Sequence, residues 1–291
     1  MLQNKQFLNF DTLWRSLTPR YDEGEARAVV RWLLEVVFGL SMTDIICGGL
    51  EKLSAGDQQR LEEAHRRLTE GEPVQYVAGV ADFGPRQFGV APGVLIPRPE
   101  TYELCEWARE SWKHRNNKTT KPRILDIGTG SGCIACTLAA EIADAEVTAW
   151  DLSPVALGIA RGNAQRTGVN VTFEERDMLK VVYGSDAARW DIIVSNPPYI
   201  CDSEAEEMAD WVLDYEPEMA LFVPDDDPLL FYRHISNYAQ SALSEGGLLF
   251  FEINPLYDEH IEDILLGLGF DDIEVRKDQF GKNRMIKARW H

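Results

Sequence analysis

Ile124-Leu125-Asp126-Ile127-Gly128-Thr129-Gly130-Ser131-Gly132 is the stretch on which the fold turns. A short apolar run carries an acidic residue at its end, and alternating glycines follow before residues 131–142, which read as a helix. Glycine lets the backbone take positive φ and come close to a ligand. The helix start adds N–H groups that have no partner inside the helix. Strand, glycine turn and helix in this order open a ligand-binding βαβ unit, although the turn alone would serve a dinucleotide equally well.

Strands and helices alternate on the carboxyl side of this stretch. Residues 123–127, 146–151, 171–176, 191–196 and 247–253 read as strands, with helices such as 154–167 between them. That order predicts a largely parallel sheet covered on both faces. Two more strands, 272–277 and 284–290, are joined through Phe280-Gly281-Lys282-Asn283 and suit an antiparallel edge. Ligands in such sheets gather at the carboxyl ends of the strands, where the order reverses.

Four successive strand ends carry a polar or glycine-rich device. The first is Asp126 with Gly128, Thr129, Gly130, Ser131 and Gly132. Asp151, which ends the second strand, can accept two hydrogen bonds from a ribose diol, a group common to NAD and S-adenosylmethionine. Asp177, beside Met178, ends the third strand and is placed to accept from an adenine amino group. Asn196-Pro197-Pro198-Tyr199 follows the apolar run Asp191-Ile192-Ile193-Val194-Ser195. Its prolines fix φ and donate no N–H, so an amide side chain and a backbone carbonyl are presented almost rigidly. Such a pair can grip a planar amino group while the tyrosine ring covers its face. A methyl donor beside an amino-group holder uses all four devices, which points to S-adenosylmethionine and to the methyltransferase variant of the doubly wound fold.

The first third of the chain reads differently. Val29, Val30, Leu33, Leu34, Val37 and Phe38 recur at helical spacing ahead of Gly39,. With further helices over 7–17, 42–47 and 54–69, a small bundle is expected up to about residue 72. The period then shortens: residues 74–80, the turn Phe83-Gly84-Pro85-Arg86 and residues 87–96 read as a β-hairpin. The expected organisation is a helical domain over 1–73, a hairpin linker over 74–98 and a catalytic domain over 99–291.

Composition narrows the partners. The net charge of −19 disfavours a polyanionic partner, because nonspecific nucleic-acid affinity comes largely from Lys and Arg,. No direct DNA binding is expected. Arg60, Arg66 and Arg67 lie close on one helix, but among Glu62, Glu63 and Glu70 they read as a solvated face,. Five cysteines, an odd number spread over both halves, suggest free thiols in a reducing cytoplasm,. Residues 1–11 lack the basic-then-apolar order of a signal peptide, and no apolar run reaches membrane-spanning length,. No metal site is expected: Cys133-Ile134-Ala135-Cys136 falls inside a helix without a second ligand pair, the histidines are scattered, and Asp225-Asp226-Asp227 reads as a surface turn,.

Further runs carry a family resemblance. Gly71-Glu72-Pro73-Val74-Gln75-Tyr76-Val77-Ala78-Gly79, Phe83, Val94-Leu95-Ile96-Pro97-Arg98-Pro99-Glu100-Thr101 and Tyr215-Glu216-Pro217 with Ala220-Leu221 join the glycine turn and the Asn-Pro-Pro-Tyr tetrapeptide. Together they resemble the PrmC/HemK family over about residues 27–289. The resemblance implies a class I, Rossmann-like, seven-stranded S-adenosylmethionine-dependent methyltransferase with a small helical N-terminal domain and a linking β-hairpin. It implies N5-methylation of the Gly-Gly-Gln glutamine of class 1 peptide chain release factors. It would place S-adenosylmethionine at Gly128–Gly132 and Asp151, with Asp177 and Met178 at the adenine. Asn196 and Pro197 would hold the substrate amide, Tyr199 would wall the pocket, and the helical domain with its hairpin would help receive the release factor. A monomer is the expectation. The chain departs from the family pattern at Tyr102, where Glu is usual, at Asn254 and Tyr257 in Glu252-Ile253-Asn254-Pro255-Leu256-Tyr257, and around Asp227-Pro228-Leu229.

Two other classes use some of these features. A nucleic-acid amino-methyltransferase shares the tetrapeptide but should bring a basic groove or a target-recognition domain. A non-catalytic adaptor on the same fold should show a spoiled glycine turn or a lost Asn, and neither is present.

Overall fold

The computed structural model describes residues 9–114 and 121–291, and the start of the helix expected over 7–17 lies outside the described residues. The chain divides into two compact units, 1–80 and 81–291.

The first unit contains α1 (Phe10–Leu17), α2 (Glu23–Phe38), α3 (Met42–Ile46), α4 (Ala55–Thr69) and α5 (Val74–Ala78). Asn9, Asp22, Ser41 and Ser54 cap the first four, each side chain accepting from the backbone N–H three residues on,. Leu13, Leu17, Val30, Leu33, Leu34, Leu61 and Leu68 meet in one buried cluster. Each contributes about 1.5–3 kcal/mol by leaving water. The basic residues of α4 are matched locally: Arg60 pairs with Asp57, Arg66 with Glu63 and Glu70, and Arg67 with Glu72.

One expected strand is a helix. Residues 74–78 form α5, not the first hairpin strand, because Val74, Val77 and Ala78 fall at i, i+3 and i+4 and pack on the bundle core,. Gly79, at φ 73°, ends the helix in the left-handed conformation,.

The hairpin that follows is shorter than expected: β1 (Val80–Phe83) pairs with β2 (Arg86–Gly89). Pro92, Pro97 and Pro99 cannot donate to a ladder, so residues 90–97 run as an irregular segment,. Phe83 and Phe88 are buried in the core of the larger unit, so the hairpin packs as part of that unit. Tyr102, a departure from the family pattern, lies edge-on to Phe83 at 5.4 Å and over Gly84, whose φ of 55° and missing Cβ leave room for the ring.

The larger unit continues with α6 (Pro99–Lys113), β3 (Arg123–Ile127), α7 (Cys133–Glu141), β4 (Glu146–Asp151), α8 (Pro154–Thr167), β5 (Val171–Glu175) and β6 (Trp190–Ser195). Then come β7 (Ile200–Cys201), α9 (Asp210–Tyr215), β8 (Phe222–Val223), α10 (Leu230–Ala242), β9 (Leu243–Glu252), α11 (Asp258–Leu268), β10 (Asp271–Lys277) and β11 (Asn283–Arg289). Seven strands form one sheet in the order β10-β11-β9-β6-β3-β4-β5. β3, β4, β5, β6 and β9 pair in parallel, whereas β11 is antiparallel to both β9 and β10. The chain winds outward from β3 through β4 to β5, then returns to β6 on the other flank of β3. That reversal opens a crevice beyond the carboxyl ends of β3 and β6.

Both faces of the sheet are covered. α6 and α7 contribute Leu104, Trp107, Ile134 and Leu138 to one buried cluster, and α10 and α11 contribute Tyr232, Ile235, Ile261 and Leu265 to the other. Cys133 and Cys136 belong to the first cluster, where burial pushes each thiol up to about 12 and leaves it inert as a nucleophile,. Among the described residues no group is placed to hold a metal ion, and no helix is long and apolar enough to cross a membrane.

Candidate active site

The crevice at the carboxyl ends of the parallel strands is lined by the glycine turn, Asp151, Asp177, Met178 and Asn196 to Pro198, with Arg98 and Thr101 across from them. Residues 100 or more positions apart in the chain thus meet on one rim.

The glycine turn is shaped by backbone and carboxylates. Gly128 and Thr129 donate their N–H groups to the Trp150 carbonyl, and Gly130 N–H donates to Asp151 Oδ2 at 2.8 Å. Gly128 and Gly130 take φ of 75° and 53°, and a Cβ on either would meet no atom within 4 Å. Conformation requires glycine there, and the space above is open. Gly132 differs: its Cβ would come within 2.9 Å of Ala160 Cβ, so it serves the close packing of α7 on α8.

Asp151 ends β4 with its second oxygen accepting from Ser153 N–H at 2.8 Å. An ionised carboxylate has about four acceptor sites. The N–H groups of Ser153, Gly130 and Leu152 use part of that capacity and counter the burial that raises the carboxyl, and what remains suits a ribose hydroxyl.

Asp126 lies underneath. It is fully buried, and its Oδ2 accepts from Thr129 Oγ1 at 2.6 Å and from Ala135 N–H at 3.1 Å, while Oδ1 has no protein partner. Burial pushes its carboxyl up to about 7 against the pull of those two hydrogen bonds,. Asp126 and Gly132 support the turn from within and do not line the crevice.

That shift has a stability consequence. An unfolded carboxyl titrates near 4, so the folded protein holds a proton that the unfolded chain releases, and the associated stability is lost as pH rises through about 7,. Relative to Asp126→Asn, wild type is expected to lose unfolding free energy between about pH 4 and 7, on the order of a few kcal/mol. Denaturant midpoints of both proteins across that range check this, and parallel profiles would contradict it.

Asp177 sits two residues beyond the end of β5, where a strand terminus was expected. Its side chain caps the 3₁₀ turn Met178–Lys180 by accepting from Leu179 N–H, a local bond that competes with the ladder,. The 2.8 Å pair with Lys180, together with that N–H, holds its carboxyl below the usual range.

Asn196 follows β6, whose last residue, Ser195, is buried and donates to the Ile127 carbonyl at 2.7 Å. Asn196 Nδ2 donates to Thr101 Oγ1 at 3.2 Å, which turns Oδ1 away from Thr101. Pro197 and Pro198 line the crevice. Tyr199, expected as its wall, does not line it. The ring packs beside the second core cluster, and its hydroxyl donates to buried Glu252 at 3.0 Å. Burial and the nearby Glu252 charge push the phenol up.

Several positions to which the sequence reading gave no site role hold the rim together. Glu216 accepts from Arg98 at 2.6 Å, tying the segment before α6 to the segment after α9. Tyr199 and Ile200 N–H groups donate to the Leu221 carbonyl, which carries the Tyr-Glu-Pro segment to the tetrapeptide. Asn163 on α8 bonds Gly89 of the hairpin at both N–H and carbonyl and donates to the Ser131 carbonyl. Its place on the Ala156, Ala160, Asn163, Ala164 face was the available signal, since a polar residue on a buried stripe needs partners,. Asn254, a departure from the family pattern, donates to the Tyr199 carbonyl and to Glu204.

A doubly wound sheet with one antiparallel strand beside its edge, a glycine turn after β3 and an Asn-Pro-Pro-Tyr after β6 defines a class I methyltransferase,. Residues 15–79 match the model of the PrmC N-terminal domain and residues 113–214 that of the methyltransferase small domain. The chain belongs to the release factor glutamine methyltransferase family. It is 44% identical over 274 residues to the release factor glutamine methyltransferase of Bacteroides thetaiotaomicron, covering 94% of this chain and 96% of that one. The protein of the same name from Flavobacterium psychrophilum is 40% identical, covering 95% and 96%. Among solved structures, the 16S rRNA N2 G1207 methyltransferase of T. thermophilus, in complex with AdoMet and guanosine, shares the fold at a TM-score of 0.52 and 20% identity, covering 73% of this chain and 50% of that one.

Proposed function

We infer that the protein transfers the methyl group of S-adenosylmethionine to the side-chain amide nitrogen of a release-factor glutamine. The observation that carries this is identity of 44% over 94% of the chain, helical domain included, to a protein of that name. The glutamine is taken as that of the Gly-Gly-Gln motif in class 1 factors, in line with the family. The net charge of −19 supports a protein substrate over a nucleic acid,. The helical domain and the hairpin are assigned to receiving the release factor.

The crevice residues fit the methyl donor. The open space at Gly128 and Gly130 would take its amino-acid end, and Asp151 would accept from its ribose diol. Asp177 and Met178 would meet the adenine. When bound, S-adenosylmethionine supplies a sulfonium methyl group already activated for transfer.

The chain's own contribution is to place the nucleophile. An amide nitrogen is weak because its lone pair is delocalised into the carbonyl. Asn196 Oδ1 and the Pro197 carbonyl would each accept one hydrogen from the glutamine NH₂, setting the nitrogen in line for attack and favouring its pyramidalisation. Positioning and fixed dipoles then lower the barrier. No strong base is required beforehand, since the departing proton grows acidic as the N–C bond forms.

Incubation with methyl-labelled S-adenosylmethionine tests the reading. Label should appear on purified release factor and be lost when the Gly-Gly-Gln glutamine is replaced by Ala. Label on duplex DNA and none on the factor would overturn it.

A further inference from the structure

We propose that Thr101 and Glu252 form a hydrogen-bond relay that decides which end of the Asn196 amide faces the reacting nitrogen. The inference rests on the reading of Asn196 as amide holder and adds the residues that set its polarity. The three residues come from distant parts of the chain: Thr101 is on the first turn of α6, Asn196 follows β6 and Glu252 ends β9.

Thr101 and Glu252 are only 3% and 2% exposed. Glu252 is encircled by donors, Oε2 accepting from Thr101 Oγ1 at 2.6 Å and Oε1 from the Tyr199 hydroxyl at 3.0 Å. A threonine hydroxyl has one proton. At 2.6 Å to a carboxylate that proton is committed to Glu252, in the short range of charge-assisted bonds,. What Thr101 Oγ1 offers Asn196 at 3.2 Å is therefore a lone pair alone, so the amide must present Nδ2 to it. Oδ1 is then the end left for the substrate.

The opposite orientation is penalised twice. It sets Asn196 Oδ1 against an oxygen with no proton to give, and it turns an NH₂ toward a glutamine NH₂ that is itself a donor. With substrate and cofactor bound over the crevice, each mismatch would cost about 1–3 kcal/mol. Burial raises the Glu252 carboxyl, while its two hydroxyl donors and the nearby Arg284 charge favour the ionised acceptor that the relay requires.

Neither side chain is assigned a contact with the reacting atoms. They are positioning residues, and the polarity they impose can be tested apart from packing. Thr101→Val keeps the shape and removes the hydroxyl. It is expected to lower kcat about 10- to 100-fold while the Kd for S-adenosylmethionine stays within about threefold. Thr101→Ser restores the hydroxyl and deletes a methyl group, and its kcat should lie within about threefold of wild type. A packing role predicts the reverse order, with Val active and Ser impaired. Glu252→Met removes the acceptor that commits the Thr101 proton, so the hydroxyl is free to donate to Asn196 and kcat should fall comparably; this variant carries the test if Thr101→Val fails to fold,. Wild-type kcat in Thr101→Val or Glu252→Met beside an inactive Asn196→Ala would overturn the relay alone. Wild-type kcat in Asn196→Ala would overturn the amide-holder reading beneath it.

Discussion

Replacing Asn196 by Ala is expected to lower kcat by about 10³-fold, the scale seen when one preorganised dipole is removed from a reacting centre. The argument is geometric. Asn196 sits directly after β6, held there by the buried Ser195 bond to Ile127, and its amide is turned by Thr101 so that Oδ1 is left for a donor. Alanine removes the acceptor and leaves the strand, the prolines and the glycine turn in place. Affinity for S-adenosylmethionine should therefore change by less than about tenfold, or about 1.4 kcal/mol. Single-turnover methylation of a release factor, paired with calorimetric titration of the cofactor, separates the two quantities. Retained turnover would remove Asn196 from the chemistry, and a parallel collapse of cofactor binding would make it a structural residue.

Asp151→Ala should produce the opposite split. The carboxylate accepts from Gly130 and Ser153 N–H groups, both at 2.8 Å, and its remaining acceptor sites are assigned to the ribose diol. Hydrogen bonds to a charged group are worth about 1.5–3 kcal/mol each. Losing two ligand bonds, together with the restraint on the glycine turn, should raise the Kd for S-adenosylmethionine about 10²- to 10³-fold. At saturating cofactor kcat should recover to within about tenfold of wild type, because the amide holder is untouched. Asp151→Asn, which keeps one acceptor oxygen, should fall between. Titration that gives an unchanged Kd for the Ala variant would place the ribose elsewhere.

Much of this arrangement is written locally. The central sheet strands β3, β4, β6 and β9 are legible because each carries a short apolar run, β10 because its apolar residues alternate with charged ones, and the helices of the first unit because Asn9, Asp22, Ser41 and Ser54 cap apolar periodic segments. The glycine turn, Asp151 and Asn196 stand at strand ends, and a strand end is a local property. Residues 74–78 show where local reading fails. Five residues rich in β-branched side chains suit either a strand or a turn of helix, and contact with the bundle core decides for the helix,.

The sequence by itself determined the alternation of strand and helix, the capped bundle and which residue types stand at the strand ends, since these depend on neighbours within a few positions. Only the tertiary structure decided what those residues face. It buried Asp126 and Gly132 beneath the turn and withdrew Tyr199 from the crevice to Glu252. It also brought Thr101 to Asn196 across 95 positions and to Glu252 across 151. A hydrogen bond has direction, and its direction here is set by which proton is already committed to a buried partner. That is a fact of three-dimensional neighbours, which spacing along a chain does not contain.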